Sequence, residues 1–130
     1  MPRVYALDTN AIIYYVTDES RACEKLVPII QNPDIRLIVP AVVVAELWAA
    51  PHTPLNHAEH MNAIRAFLGT TTVVHLDETL AQSAGVLRRT HRLELGDACI
   101  AATVLAHGVV LLTRNVRDFK KVPGLSVEAI

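Results

Sequence analysis

Two carboxylates in this chain stand where an apolar segment meets a polar turn. Asp8 follows a short apolar run at residues 4–7 that predicts a buried strand, and Asp97 precedes an apolar run at residues 98–106 that predicts a helix. In an open α/β sheet, ligands bind at the carboxyl ends of the strands. Carboxylates gathered there repel one another unless a hard cation lies between them, and Mg²⁺ or Mn²⁺ is the usual occupant. The two acids therefore indicate a candidate site for a hard cation.

A third acid interrupts an apolar helical pattern. Glu46 lies between Val42 and Trp48 in a stretch with almost no other charge, and an isolated Glu is costly to bury there unless it is paired or metal-bound. Each acid also has a plainer explanation: Asp8 as a turn or cap residue, Asp97 as a helix N-cap, and Glu46 as a residue at a solvent edge. The three acids together favour one shared site over three unrelated roles.

The composition sets the class of protein. The 130 residues are 52% hydrophobic and 19% charged, which predicts one folded domain over residues 1–130. A formal net charge of −1 gives no global attraction to nucleic acid, so any such binding must use local patches. The longest apolar stretch, residues 37–45, is far shorter than the roughly 20 residues of a membrane span. Two cysteines without redox spacing, and no visible export signal, predict a cytoplasmic protein that does not associate with a membrane.

Apolar strands alternate with helical patterns along the chain. Strands are predicted at residues 4–7, 37–39, 72–76 and 109–113, with an edge strand at 125–127. Helices are predicted from Asn10, at 20–30, at 40–50 (ended by Pro51), behind a capping box at Asn56, from a cap at Asp77, and at 97–107. Strands that are apolar throughout are buried on both faces. The pattern therefore predicts the α/β class, as a three-layer α/β/α sandwich with a mainly parallel sheet of four to five strands. The first strand is not followed by a glycine fingerprint, which excludes a Rossmann or P-loop nucleotide site.

Four segments, in this order along nearly the whole chain, resemble the signature segments of PIN domains. The likeness is greatest to the VapC-type toxins of bacterial and archaeal toxin–antitoxin pairs. The segments are Leu7-Asp8-Thr9-Asn10, Val44-Ala45-Glu46-Leu47, and residues 96–103 and 112–119. The resemblance implies a Mg²⁺- or Mn²⁺-dependent endoribonuclease, the toxin of a type II toxin–antitoxin system, which cleaves RNA by metal-activated water. It also implies a homodimer that a cognate antitoxin holds inactive.

The resemblance assigns catalytic roles residue by residue. Asp8, Glu46 and Asp97 fall on the family's three acidic positions, and Asn115 falls on a fourth position that is Asp in many members. Asn115 keeps an amide oxygen but brings no charge, and Asp118 is near enough to substitute or assist, so binding of one ion or of two stays open. Mg²⁺ needs only one or two protein carboxylates. We expect Asp8 and Asp97 to bind the metal directly and Glu46 to act through water.

Other residues are expected to support this site or to bind RNA. Hydrogen bonds that hold the carboxylates in place are assigned to Thr9, Asn10 and Thr113. Five arginines near the acidic segments are candidates for holding RNA phosphates, although a solvated helix end or loop explains each one equally well. They are Arg88, Arg89, Arg92, Arg114 and Arg117.

Two other functions compete with this interpretation. A phosphatase of the haloacid dehalogenase type also has a nucleophilic Asp at the end of its first strand, but it needs a second Asp two positions on, where this chain has Asn10. A catalytically silent PIN-like binding module is the other alternative, and the retention of three acids argues against it. Metal-dependent cleavage of an RNA pool, compared with hydrolysis of p-nitrophenyl phosphate, distinguishes these functions.

Overall fold

The computed structural model describes residues 3–50 and 57–130. Within these residues the chain forms five strands: β1 (Val4–Leu7), β2 (Arg36–Pro40), β3 (Thr72–Val74), β4 (Val110–Thr113) and β5 (Ser126–Ala129). The same residues form seven helices: α1 (Thr9–Val16), α2 (Ser20–Ile30), α3 (Ala41–Ala49), α4 (His57–Leu68), α5 (Glu78–His91), α6 (Leu95–His107) and α7 (Val116–Phe119).

The five strands lie in one parallel sheet, in the order β3-β2-β1-β4-β5. β1 is central: Tyr5 is in register with Leu37 of β2 on one side and with Val110 of β4 on the other. Helices cover both faces of the sheet, so the predicted three-layer α/β/α sandwich is confirmed. Because the strands are parallel, their carboxyl ends lie along one edge of the sheet, which we call the carboxyl edge. Residues that follow β1, β2 and β4 meet there.

The central strands are apolar because helices bury both of their faces. Ala6 of β1, Val39 of β2 and Leu111 of β4 are fully shielded from solvent. When helices cover both faces of a parallel strand, apolar side chains stabilise it at every position. This explains why apolar and polar residues do not alternate in these strands. Helix α4 adds a single apolar stripe to this core, formed by Met61, Ile64 and Phe67.

The structure corrects the expected start of α6. This helix begins at Leu95, two residues earlier than predicted, and its N-cap is Glu94, whose side chain makes no capping hydrogen bond. Asp97 therefore lies within the first helical turn, so its interpretation as an N-cap is wrong. A carboxylate in the first turn is still favoured by the positive end of the helix dipole. The sequence around Asp97 therefore predicted a helix start correctly, but placed it about half a turn too far along the chain.

Other boundaries lie close to the predicted ones. α1 begins at Thr9 because Asp8 caps it, and β3 ends at Val74, two residues short of the predicted end. Asp77 caps α5 as predicted, with Oδ1 accepting a hydrogen bond from the Leu80 N–H at 2.8 Å. Pro51 and Asn56, predicted to end one helix and begin the next, lie outside the described residues. None of the helices in the described ranges has the length and apolar character of a membrane span.

Candidate metal centre

Asp8 follows β1 and fixes the start of α1. Its side chain is buried, with Oδ1 accepting a hydrogen bond from the Ala11 N–H at 2.8 Å and Oδ2 accepting one from the Thr113 hydroxyl. Thr113 Oγ1 in turn accepts a hydrogen bond from the Asn115 N–H at 2.9 Å. Since Thr113 is the last residue of β4, the Asp8 carboxylate joins the carboxyl ends of two adjacent strands.

Glu46 reaches the same edge from α3, which begins directly after β2. Thr9 Oγ1 donates a hydrogen bond to Glu46 Oε1 at 2.8 Å. A Cβ atom added at Gly96 would lie 3.0 Å from Glu46 Oε2, which is closer than Cβ contacts normally come. Gly96 therefore leaves the space that this carboxylate occupies beside the first turn of α6. No role for Gly96 was predicted, because it lay just before the helix expected at 97–107; the earlier start of α6 places it in a helical turn, where glycine weakens a helix.

The side chain of Asn115 lies between two carboxylates. Its Nδ2 donates to Asp97 Oδ2 at 3.5 Å, and a second hydrogen bond from this side chain to Asp118 is the main reason that the pKa of Asp118 is lowered. Lys121 Nζ, which is 3.4 Å from Asp118 Oδ1, lowers that pKa further. The amide of Asn115 thus acts as a donor toward both acids.

Burial and mutual repulsion raise the pKa values of two acids at the carboxyl edge. Burial is the main cause for Asp8, where the two hydrogen bonds that it accepts oppose the rise and the charge of Glu46 adds to it. The pKa of Asp97 is raised to about 6, first by burial and then by four negative charges. Those charges belong to Glu46, Asp118, Asp8 and Glu94. Asp8, Glu46 and Asp97 therefore lie within electrostatic range of one another.

This set of donors fits a hard divalent cation that keeps much of its water. Across residues 3–50 and 57–130, no three His, Cys, Asp or Glu side chains stand close enough to hold an ion together by direct bonds. Mg²⁺ commonly takes one or two protein carboxylates and several waters, so it does not require three direct ligands. The oxygens of Asp8 and Asp97 are hard donors of the kind that Mg²⁺ and Mn²⁺ prefer.

The five candidate arginines fall into separate environments. Three of them, Arg88, Arg89 and Arg92, line one concave surface at the end of α5. Arg114 is engaged within the protein: its Nη2 lies 2.8 Å from Glu19 Oε2, and its guanidinium carbon lies 4.1 Å from the centre of the Tyr14 ring. Arg117 is exposed on α7. The structure therefore does not gather all five into one surface.

Comparison with known proteins identifies the family. The sequence matches the family model of the PIN domain over residues 5–125. The chain belongs to the PIN domain family. This PIN domain is 27% identical to Ribonuclease VapC1 of Haemophilus influenzae (strain R2866) in an alignment 127 residues long that covers 94% of each chain. The resemblance noted in the four sequence segments is confirmed.

Solved structures share the fold of this PIN domain. One is the crystal structure of VapBC2 from Rickettsia felis bound to a DNA fragment from their promoter, with a TM-score of 0.79, 21% identity and 98% of each chain covered. Another is a toxin–antitoxin complex from Klebsiella pneumoniae, with a TM-score of 0.74 and 25% identity, covering 93% of this chain and 94% of the other. The similarity extends over nearly the full length in both cases.

The PIN domain brings together most of the residues predicted for its site. Those that meet at the carboxyl edge are Asp8, Thr9, Glu46, Asp97, Thr113, Asn115 and Asp118. Asn10 is exposed in the first turn of α1, and the side-chain hydrogen bonds to the carboxylates described above come from Thr9, Thr113 and Asn115, with the Ala11 N–H adding a backbone hydrogen bond to Asp8. Four segments far apart in the chain thus supply one group of acids, Asp8, Glu46, Asp97 and Asp118.

Proposed function

We propose that this PIN domain is a Mg²⁺- or Mn²⁺-dependent endoribonuclease and the toxin of a type II toxin–antitoxin pair. The observation that carries the proposal is the convergence of Asp8, Glu46 and Asp97, from three different elements, at the carboxyl edge of the sheet. The similarity to a relative named Ribonuclease VapC1 along 94% of each chain supports RNA as the substrate. Similarity to structures of toxin–antitoxin complexes supports an antitoxin as the partner.

Asp8 and Asp97 would hold the metal, with Asn115 nearby in the outer shell. A bound Mg²⁺ or Mn²⁺ acidifies a water molecule and offsets the charge that develops on the phosphate. The protein fixes Asp8 for this task through Ala11 and Thr113, so little reorganisation of that carboxylate is needed. These hydrogen bonds also favour the charged form of Asp8 against the effect of burial.

Glu46 would orient the attacking water and accept its proton. Thr9 holds one carboxylate oxygen, and Gly96 leaves room for the other beside α6. The proton would pass from the water to Glu46 as the water oxygen bonds to the phosphorus, and the bond between phosphorus and the leaving oxygen would break, with the electron pair staying on the leaving oxygen, which would take a proton from solvent. The carboxylate of Glu46 therefore supplies the general base, while Asp8 and Asp97 supply the metal site.

Cleavage of a mixed pool of single-stranded RNA tests this proposal. We expect cleavage by the wild type with Mn²⁺ and none in EDTA, loss of cleavage in Asp8→Ala and Asp97→Ala, and a decrease of about 100-fold in Glu46→Gln. Asp34→Ala is the matched control, because Asp34 is an exposed acid that precedes β2 and lies at the opposite edge of the sheet.

Each alternative function gives a different result in the same assay. Hydrolysis of p-nitrophenyl phosphate by a wild type that leaves RNA intact would favour the phosphatase. RNA binding or antitoxin binding without any metal-dependent cleavage would favour the silent binding module. Full cleavage by Asp97→Ala would overturn the assignment of Asp97.

A further inference from the structure

Helix α5 presents a different surface on each of its sides. Its buried stripe includes Leu80 and Ala84, which pack into the core. Another stripe consists of Gly85, Arg88, Arg89 and Arg92, at the i, i+3, i+4 and i+7 spacing that places residues on one face of a helix. Together with Leu93 and Glu94, this stripe lines a concavity of about 530 Å³. We call this concavity the arginine groove.

We propose that the arginine groove binds backbone phosphates of the RNA strand next to the site of cleavage. This inference rests on the proposed ribonuclease function and adds to it the path of the substrate. Arginine presents a planar fork of N–H donors that matches the oxygens of a phosphate, so neighbouring arginines around a concave surface suit a phosphodiester backbone.

A hydrogen bond within the groove holds the side chain of Arg88 before any ligand arrives. Arg88 Nη1 donates a hydrogen bond to the Leu93 carbonyl oxygen at 2.9 Å, which holds the guanidinium against the groove and leaves its other N–H groups to serve as donors. Arg92 ends α5 in the left-handed region, with φ 55° and ψ 49°. This turn folds Leu93 back against the last turn of the helix, so that residues before and after the turn line the same concavity.

The groove carries a net positive charge, although the protein as a whole does not. Three arginines and one acid, Glu94, line it, which leaves an excess of two positive charges in a chain whose formal net charge is −1. Arg114 differs in this respect, because Glu19 and Tyr14 already engage its guanidinium. The groove is therefore a local patch of the kind that a chain without global positive charge needs for binding nucleic acid.

Glycine at position 85 keeps the groove open. A Cβ atom added there would meet nothing within 4 Å, so core packing does not require a glycine at this position. A side chain longer than alanine at this position would project into the groove, so a small residue at position 85 keeps the groove wide.

Glu94 connects the groove to the acids at the carboxyl edge. It lines the groove, it is the N-cap of α6, and it lies within electrostatic range of Asp97. Asp97 follows it by three residues, which is less than one turn of helix. The groove therefore borders the acids of the carboxyl edge, as the proposed path of one RNA strand from the groove to Asp97 requires.

Binding of a short single-stranded RNA of mixed sequence in EDTA tests this proposal without catalysis. Fluorescence anisotropy at several salt concentrations would be measured for Arg89→Glu, Arg92→Glu and the control Arg36→Glu. Arg36 is exposed and starts β2, so this variant makes the same change of charge at the far edge of the sheet. We expect groove variants to bind roughly tenfold more weakly than the control and to lose about 0.7 from the slope of log affinity against log salt for each lost phosphate contact.

A second pair of variants separates the shape of the groove from its charge. Gly85→Leu fills the groove and Gly85→Ala does not, and neither changes the charge. We expect Gly85→Leu to lower RNA affinity while Gly85→Ala binds like the wild type, with thermal unfolding confirming that both variants fold.

The outcomes distinguish this proposal from the proposed function. If the wild type cleaves RNA with Mn²⁺ but the groove variants bind RNA like Arg36→Glu, the groove proposal is overturned and the ribonuclease stands. The groove would then be free for an acidic segment of a protein partner. If charge reversal weakens binding but Gly85→Leu does not, diffuse charge accounts for binding and the groove proposal is likewise overturned. A wild type that neither binds nor cleaves RNA overturns both.

Discussion

The carboxyl of Asp97 has a pKa of about 6 because it is half-buried and close to other acids. In the unfolded chain, a carboxyl of this type has a pKa of about 4. Between these two pH values the folded state keeps a proton that the unfolded state has lost. The contribution of Asp97 to the free energy of unfolding therefore falls as the pH rises from about 4 to about 6, and it is constant above that range.

Asp97→Asn removes this charge with little change in shape. In EDTA at about pH 7.5 we expect the variant to unfold roughly 3 °C above the wild type, since relief of repulsion at this half-exposed group, discounted for solvent screening, is worth about 1 kcal/mol. The difference should narrow at about pH 4.5, where the folded wild type is protonated. Thermal unfolding followed by circular dichroism at both pH values checks this expectation. Asp34→Asn controls for the loss of an exposed charge, and equal melting of Asp97→Asn and wild type at both pH values would contradict it.

Gly96 and Glu46 should be energetically coupled. Gly85→Ala, in the interior of α5 with nothing within 4 Å of the added Cβ, should stabilise the protein by about 0.5–1 kcal/mol. Gly96→Ala should show no such gain, because the added Cβ would lie 3.0 Å from Glu46 Oε2. In a Glu46→Ala background the conflict disappears, so Gly96→Ala should become stabilising. Chemical denaturation of the four proteins of this cycle measures the coupling, and a gain in the wild-type background equal to that at Gly85 would refute it.

The identities of the acids could be predicted from the sequence, but several of their contacts could not. Asp8, Glu46 and Asp97 each interrupt an apolar segment, and that local pattern is visible without a structure. The approach of Gly96 to Glu46 and the ion pair of Arg114 with Glu19 join residues far apart in the chain. Such contacts depend on how the elements pack, and neither spacing nor residue type encodes that directly.

At the scale of the elements, two neighbouring helices begin in different ways. The Asp77 side chain caps α5 through the Leu80 N–H, whereas the Glu94 side chain makes no capping hydrogen bond to α6. We expect Asp77→Ala to cost about 1 kcal/mol, or roughly 3–4 °C in the melting temperature. Glu94→Ala is the matched control and should cost nothing in EDTA, because it also removes a negative charge near Asp97. Thermal unfolding at neutral pH checks both, and a loss in Glu94→Ala equal to that in Asp77→Ala would contradict the assignment of the caps.

The strands and most helices could be predicted because each has its own local signal. Apolar runs mark β1, β2 and β4, and an Asp cap marks α5. The start of α6 was predicted two residues too late because two acids, Glu94 and Asp97, precede one apolar run. Asp is the stronger capping residue of the two, but Glu94 occupies the N-cap position. The capping preference of each residue type cannot by itself decide which acid caps the helix, because Asp97 also accepts a hydrogen bond from Asn115, which is distant in sequence.

At the scale of the whole molecule, exposed apolar side chains support a homodimer. Val86 of α5 is 49% exposed and Leu105 of α6 is 37% exposed, and both line a cavity of about 600 Å³ between these helices. The large apolar side chains Met61, Ile64 and Phe67 of α4, in contrast, are all buried. Apolar surface of this kind commonly marks a protein interface, and closed pairing with a second copy is the most common way to cover it.

Val86→Glu should weaken this homodimer. We expect the wild type to elute as a dimer at micromolar concentration and Val86→Glu to shift toward the monomer, because the new charge would have to be buried at the interface. Light scattering coupled to size exclusion, over a range of concentrations, measures the state. Leu76→Glu is the matched control, since Leu76 is 40% exposed but does not line this cavity. A wild type that stays monomeric at the highest concentration would show that the homodimer is wrong.

The position of β1 in the middle of the sheet has a consequence for synthesis of the chain. β1 is made before the other four strands of this sheet, and it can pair with β2 after about thirty further residues, but its other side stays unpaired until β4 (Val110–Thr113) has been made. Until then the nascent chain exposes an unpaired central edge, which favours binding by chaperones or association with other chains. The Thr113 hydroxyl that holds Asp8 and the Asn115 amide beside Asp97 arrive at the same late moment. The acids of the carboxyl edge therefore lack some of their hydrogen-bond partners until residues 113–115 have been made.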